Sequence, residues 1–141
     1  MQQHDYDPPE QFGGSASAVL RCLRELVELT GQDRTDAPPV LELQFGDILT
    51  LTSLAFDAPQ PFLCVSVYLP RCALVAAAAP PLASPAYPGA EWLWDASEGR
   101  YIILHSIEIA QLADEPGLLD AILAAKDRAG AWLLSVSGQR A

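Results

Sequence analysis

Two histidines and three cysteines are the residues from which most side-chain chemistry would have to start in this chain. His4 lies in a polar stretch near the N-terminus. His105 lies in the apolar run Arg100 to Leu112 (RYIILHSIEIAQL), on the side of a strand shared with Tyr101, Ile103 and Ile107. A general base needs a carboxylate or a nucleophile beside it, and no spacing in the sequence supplies one. His105 therefore reads as a satisfied histidine inside a sheet. Cys22, Cys64 and Cys72 could be combined with His105 into a zinc set. Zinc sites usually carry a close pair of ligands on a turn, and Cys64 and Cys72 stand eight residues apart across Pro70. They read better as buried apolar cysteines. The odd cysteine count and the lack of a CxxC pair imply no disulfide framework and fit a reducing compartment. Gly13-Gly14-Ser15 precedes a helix as a phosphate loop would, but no strand comes before it and no lysine follows in the next turn. The acids Asp95, Glu98, Asp114, Glu115 and Asp120 fall at turns and helix starts, where capping and the helix dipole place acids in any case. The expectation is no catalytic residue, no metal and no cofactor.

The aromatic residues are more informative. Trp92 and Trp94 alternate along EWLWD and so face one side, with Leu93 on the other. Two indoles on one face serve either as core or as the anchor of an interface.

The elements that must position these residues are legible in outline. Met1 to Gly14 is polar and reads as a disordered arm, followed by a single domain over 15–141. From Ser15 the apolar residues Val19, Leu20, Leu23, Leu26 and Val27 recur at helical spacing, with Ser15 or Ser17 to cap the start and Gly31 to end the helix. Leu41, Leu43 and Phe45 alternate with Glu42 and Gln44 as a half-buried strand. In Ile48 to Phe56 the phase is not clean. Leu49 and Leu51 share one face and Leu54 and Phe56 the other, which predicts a bulge near Ser53. Phe62 to Leu69 (FLCVSVYL) is almost continuously apolar, so a cover on both faces is expected, from helices or from a second subunit. Arg71 to Ala79 reads as a short helix and Pro80 to Gly89 as a proline-rich loop. Glu91–Asp95 and Arg100–Leu112 form a hairpin that turns at Gly99. The closing helix starts at Asp114 with Pro116 in its first turn, and Leu118, Leu119, Ile122, Leu123, Ala129, Leu133 and Val136 mark its buried side. The fold class is α+β: a largely antiparallel twisted sheet flanked by an N-terminal helix, a short middle helix and a C-terminal helix.

Composition narrows the partners. The 141 residues favour one domain. A chain of this length buries roughly 70% of its unfolded surface, enough for a core without disulfides or metals. Hydrophobic residues make up 50% of the chain and charged residues 18%. That is too apolar for a disordered protein and rather apolar for a monomer, so some apolar surface is expected to face a partner. Eighteen acids against eight bases give a net charge of −10. A field of that sign repels phosphate backbones and anionic lipid surfaces, so neither nucleic acid nor membrane is expected as a partner. No apolar run reaches the roughly 20 residues of a membrane helix. The start MQQHDYDPPEQ lacks the basic-then-apolar order of a secretory signal, and a cytoplasmic location is expected.

The helix SASAVLRCLRELVELTG, the strands ELQFGDILTLTSLAF and FLCVSVYLP, the hairpin EWLWDASEGRYIILHSIEIAQL and the closing helix DEPGLLDAILAAKDRAGAWLLSV follow one another as in the class I type III secretion chaperones, the Tir-chaperone-like family, which the chain resembles over roughly 15–136. The most specific block runs from Trp92 to Leu134. The resemblance implies a small, acidic, cytoplasmic, homodimeric, non-enzymatic protein that binds the N-terminal segment of one or more secreted effectors and keeps it competent for secretion. An extended partner can add to a sheet edge while its apolar side chains enter surface pockets. The helix residues Val19, Leu20 and Leu23 are expected to form one wall of such a pocket, with a floor from Leu49 and Leu51 or from Leu54 and Phe56. The family's middle helix is usually longer than Arg71 to Ala79. Phe62, Val65 and Val67 with Trp92 and Trp94 are accordingly expected to carry more of the dimer interface. The alternative readings are a small-ligand-binding or enzymatic α+β domain, or a regulator or structural component that shares the chaperone fold.

Overall fold

The computed structural model describes residues 11–31, 38–56, 60–71 and 90–138, the side chains of 134–138 excepted. Helix α1 (Ala16–Leu29) forms where the apolar residues recur three and four apart. Ala18, Val19, Cys22, Leu23, Leu26 and Val27 are all buried, while Arg21, Arg24, Glu25 and Glu28 face solvent. The N–H of Ala18 donates to Ser15 Oγ at 3.2 Å, which satisfies one of the donors that a helix start leaves open. The helix stops at Gly31, whose φ of 75° is a conformation that costs glycine little and other residues much.

Five strands follow: β1 (Leu41–Phe45), β2 (Ile48–Ala55), β3 (Phe62–Tyr68), β4 (Ala90–Asp95) and β5 (Arg100–Glu108). They form one sheet in the order β1-β2-β3-β5-β4, with every neighbouring pair antiparallel. A 3-10 turn at Ile109–Gln111 ends β5, earlier than the long strand to Leu112 that the sequence suggests. Helix α2 (Glu115–Gly138) closes the chain. Its start is capped as expected: Gly117 N–H donates to Asp114 Oδ1 at 3.0 Å. The β4–β5 turn is built on Asp95, whose carboxylate accepts the Ser97 hydroxyl at 2.7 Å. That hydrogen bond is the main reason the Asp95 carboxyl titrates below its ordinary range. Gly99 completes the turn at φ 67°.

The register places side chains in rows across the sheet. One face carries the rows Leu41–Thr52–Val65–His105–Ala90, Leu43–Thr50–Val67–Ile103–Trp92 and, at its end, Phe45–Ile48 and Tyr101–Trp94. Both helices pack on this face, α1 against β1 and α2 over β2 and β3. Leu23, Leu63, Leu118 and Ile122 are fully buried in the layer between, each contributing roughly 1.5–3 kcal/mol.

Several expectations change here. β2 has no bulge; its pairing with β3 runs unbroken from Leu49 to Ala55. The mixed phase is resolved by Thr50 and Thr52, which turn inward and are completely buried beside Leu54. The Thr50 hydroxyl donates to the Leu43 carbonyl at 3.1 Å, so a β-branched polar residue fills a core position at little cost. The N-terminal arm is shorter than its reading: Gln11 bridges to Asp114, and Phe12 is only 3% exposed within the core. Leu123, expected on the buried side of α2, is exposed. The strand Phe62–Tyr68 has helices on one face only among the described residues. Residues 1–10 of the arm, the short helix expected at 71–79 beyond Arg71, the loop 80–89 and Cys72 lie outside the described residues.

Candidate binding surfaces

The second face of the sheet carries the rows Gln44–Leu49–Tyr68–Ile102–Leu93 and Glu42–Leu51–Ser66–Leu104–Glu91, then Ser53–Cys64–Ser106 and Ala55–Phe62–Glu108. Alternation dictates this: side chains of each strand that do not point toward the helices must point here. Neither described helix lies on this face. Leu49, Leu51, Tyr68, Ile102 and Leu104 form an apolar band on it, interrupted at Ser66 and bordered by Ser53, Cys64 and Ser106, and acids stand in Glu42, Glu91 and Glu108. Leu93 is 47% exposed. The Arg100 guanidinium lies 5.0 Å from the ring centre of Tyr68, a cation held over an aromatic face at the rim.

The sequence-derived partner residues divide between the two faces. Val19 and Leu23 are fully buried, Leu54 is nearly so, and Leu20 packs half-buried against the same core. These four belong to the layer between helices and sheet. Leu49 and Leu51 are half-buried on the opposite face, so a pocket with an α1 wall and a Leu49–Leu51 floor is not assembled. Phe56, just past the end of β2, is 54% exposed. The interface residues divide as well. Val65 and Val67 have no exposed surface and point under the helices, because they occupy the two central rows of the core face. Trp92 is on that face too, with its ring 4.6 Å from Trp132 of α2. Tyr101 meets Trp132 edge-on at 5.2 Å, and burial pushes its hydroxyl's pKa up. Trp94 packs on Tyr101 in a tilted arrangement, ring centres 4.9 Å apart, while remaining 38% exposed. Phe62 alone of the set reaches the second face. Leu93 lies on that face, opposite Trp92 and Trp94 as its alternation implies, and residues there which the sequence reading did not single out are Tyr68, Ile102 and Leu104. The signal for Ile102 and Leu104 was the alternation on β5, which puts them on the side opposite Ile103 and His105, and for Tyr68 the same alternation on β3.

A cavity of about 610 Å³ opens beside the first half of α2, bounded by the far end of β5. His105 sits on its wall. The histidine is only 4% exposed and its Nε2 has no hydrogen-bond partner, so it is not the satisfied residue that its position suggested. Burial, aided by the charge of Arg128, lowers its pKa to about 4, and the imidazole is neutral near pH 7. A second cleft, about 780 Å³, lies where the start of α1 meets the ends of β3 and β5, beside Phe62, Ser106 and Ile109. Among the described residues no three His, Cys, Asp or Glu side chains come together as a metal-ligand set; Cys22 is buried and Cys64 half-buried. No described helix is long and apolar enough to cross a membrane. Comparison with family models, with curated protein sequences and with solved structures finds no match to this chain.

Proposed function

We propose that this protein is a non-enzymatic, cytoplasmic binding module of the secretion-chaperone kind: a homodimer that holds an unfolded N-terminal segment of one or more secreted effector proteins and keeps it ready for export. The observation that carries the reading is the second face of the sheet, an apolar band, bordered by acids, that no described helix covers. A monomer that kept such a face in water would lose the burial that its leucines and aromatics offer. A partner's leucine placed against Leu49 and Leu51 contributes roughly 1.5–3 kcal/mol, and a few such contacts along one segment exceed the cost of ordering it. The net charge of −10 speeds encounter with basic segments and keeps the unloaded protein soluble. Phe62 and the exposed edge of Trp94 are the members of the expected interface set that a second copy can reach.

The test is co-expression with the secreted proteins encoded beside its gene, followed by purification and mass measurement. A complex of two copies with one effector segment is the expected result. The changes Leu49→Asp, at a half-buried position outside the core layer, and Phe56→Asp, at an exposed one, should release the effector while circular dichroism and the mass of the free protein stay unchanged. A protein that captures no secreted partner, or variants that hold it as well as the wild type does, would refute the proposal.

A further inference from the structure

The cavity beside α2 has a chemistry distinct from the apolar sheet face. Its helix wall is built from Gly117, Ala121 and Ala124, which recur at helical spacing and leave room where larger side chains would fill it. Charged groups flank this wall. Arg128 stands beyond Ala124, with no ion pair among the described residues, Asp120 stands beside Ala121, and Glu108 of β5 is also on the lining. Asp120 and Arg128 are eight residues apart, a separation of about 12 Å along the helix axis. On the same lining, within the field of Arg128, His105 presents a buried imidazole with an unpartnered nitrogen. A buried polar atom left without a partner is costly and calls for a reason. The other neighbours in the His105 row, Val65 and Ala90, bring no polar group to it.

We propose that this groove receives an extended segment of the partner protein whose acidic side chain sits against Arg128 and the imidazole edge of His105, with a basic side chain four residues away at Asp120 and Glu108. The spacing follows from geometry: four residues of extended chain cover about 13 Å, the same length as the helix between Asp120 and Arg128. The alanine and glycine wall lets the segment's backbone lie close to α2. The acid would neutralise the guanidinium of Arg128 and the base would meet the carboxylate of Asp120, so both ends are complementary in charge. The direction of the segment is set by the same polarity.

The inference rests on the partner-binding reading, and its test separates the two. Three capped eight-residue peptides of glycine, serine and alanine serve as probes. One carries Glu and Lys four residues apart, one has Gln in place of the Glu, and one is the Glu–Lys peptide with its termini's order of charges reversed. Binding is followed by the fluorescence of Trp132, one helical turn from Arg128, and by the His105 ring resonances in NMR. The Glu–Lys peptide in one of its two orders should bind at least threefold more tightly than the Gln peptide. Its carboxylate should raise the His105 titration midpoint by cancelling the field of Arg128. The preference should vanish in Arg128→Gln and invert toward the opposite order in the double variant Arg128→Glu with Asp120→Lys. Equal binding of all three peptides, no binding of any, or a preference that survives Arg128→Gln would overturn the proposal. So would free glutarate competing as well as the peptide does, since that would make the groove a small-molecule site. If the effector still co-purifies with Arg128→Gln at wild-type yield, this groove is not used and the chaperone reading stands. If no effector co-purifies with the wild type, it is the chaperone reading that fails.

Discussion

The stability of this protein should depend on pH through one residue, His105. Its unfolded pKa is 6.5 and its folded value about 4, because burial disfavours the charged ring and Arg128 adds to the effect. A depressed folded pKa favours the neutral ring, so its stabilising contribution is complete above pH 6.5 and is lost as pH falls toward 4. At about pH 5 the unfolded chain is almost fully protonated at this site and the folded chain hardly at all. Proton linkage then lowers stability by about 2 kcal/mol relative to pH 7.5, rising to about 3 near pH 4. The perturbation that isolates this term is His105→Leu, which removes the titrating group and also the unpartnered nitrogen. Urea unfolding followed by tryptophan fluorescence, at one protein concentration so that association does not vary, gives the free energy at each pH. Ordinary carboxylates are still ionised near pH 5, so they contribute little over this interval. The wild type should lose about 2 kcal/mol more than the leucine variant between the two pH values. Parallel losses in the two proteins would refute the reasoning and mean that His105 meets water or a partner that its burial does not suggest.

Three further outcomes follow from single positions. Gly130 lies within α2 with no positive φ, and a β-carbon there would meet only Ile48 Cδ1 at an ordinary 3.6 Å, so Gly130→Ala should raise stability by about 1 kcal/mol in thermal or urea unfolding. Asp114→Ala removes the cap that receives the Gly117 N–H and should cost about 1 kcal/mol, with faster hydrogen exchange confined to the first turn of α2. Phe12→Ala should destabilise the domain by roughly 3 kcal/mol, the effect of emptying a core site and not that of trimming a loose arm. A change within 0.5 kcal/mol would remove Phe12 from the core.

What the residues themselves determined was local. The three-and-four spacing of Val19, Leu23, Leu26 and Val27 sufficed for α1, because a helix start, a cap and a glycine stop act over a few neighbouring residues. The same holds for the Asp95–Gly99 turn, for the Asp114 cap, and for the alternation that put Trp92 and Trp94 together opposite Leu93. The order of these elements was enough to reach the α+β class. The tertiary structure decided which face each strand turns inward, and that depends on partners far away in the chain. Leu49 and Leu51 are the more apolar pair of β2, yet Thr50 and Thr52 are inside, since the pairing with β1 and β3 commits every alternate residue of the strand together. A single strand carries no information about which of its faces the helices will cover. For the same reason Val65 and Val67, expected at an interface, became core, and Leu93, Ile102 and Leu104 became surface. His105 could be placed on a strand face from the sequence. Its meeting with Arg128 and the small-residue side of α2 could not, because that cavity exists only once the last helix lies across the sheet.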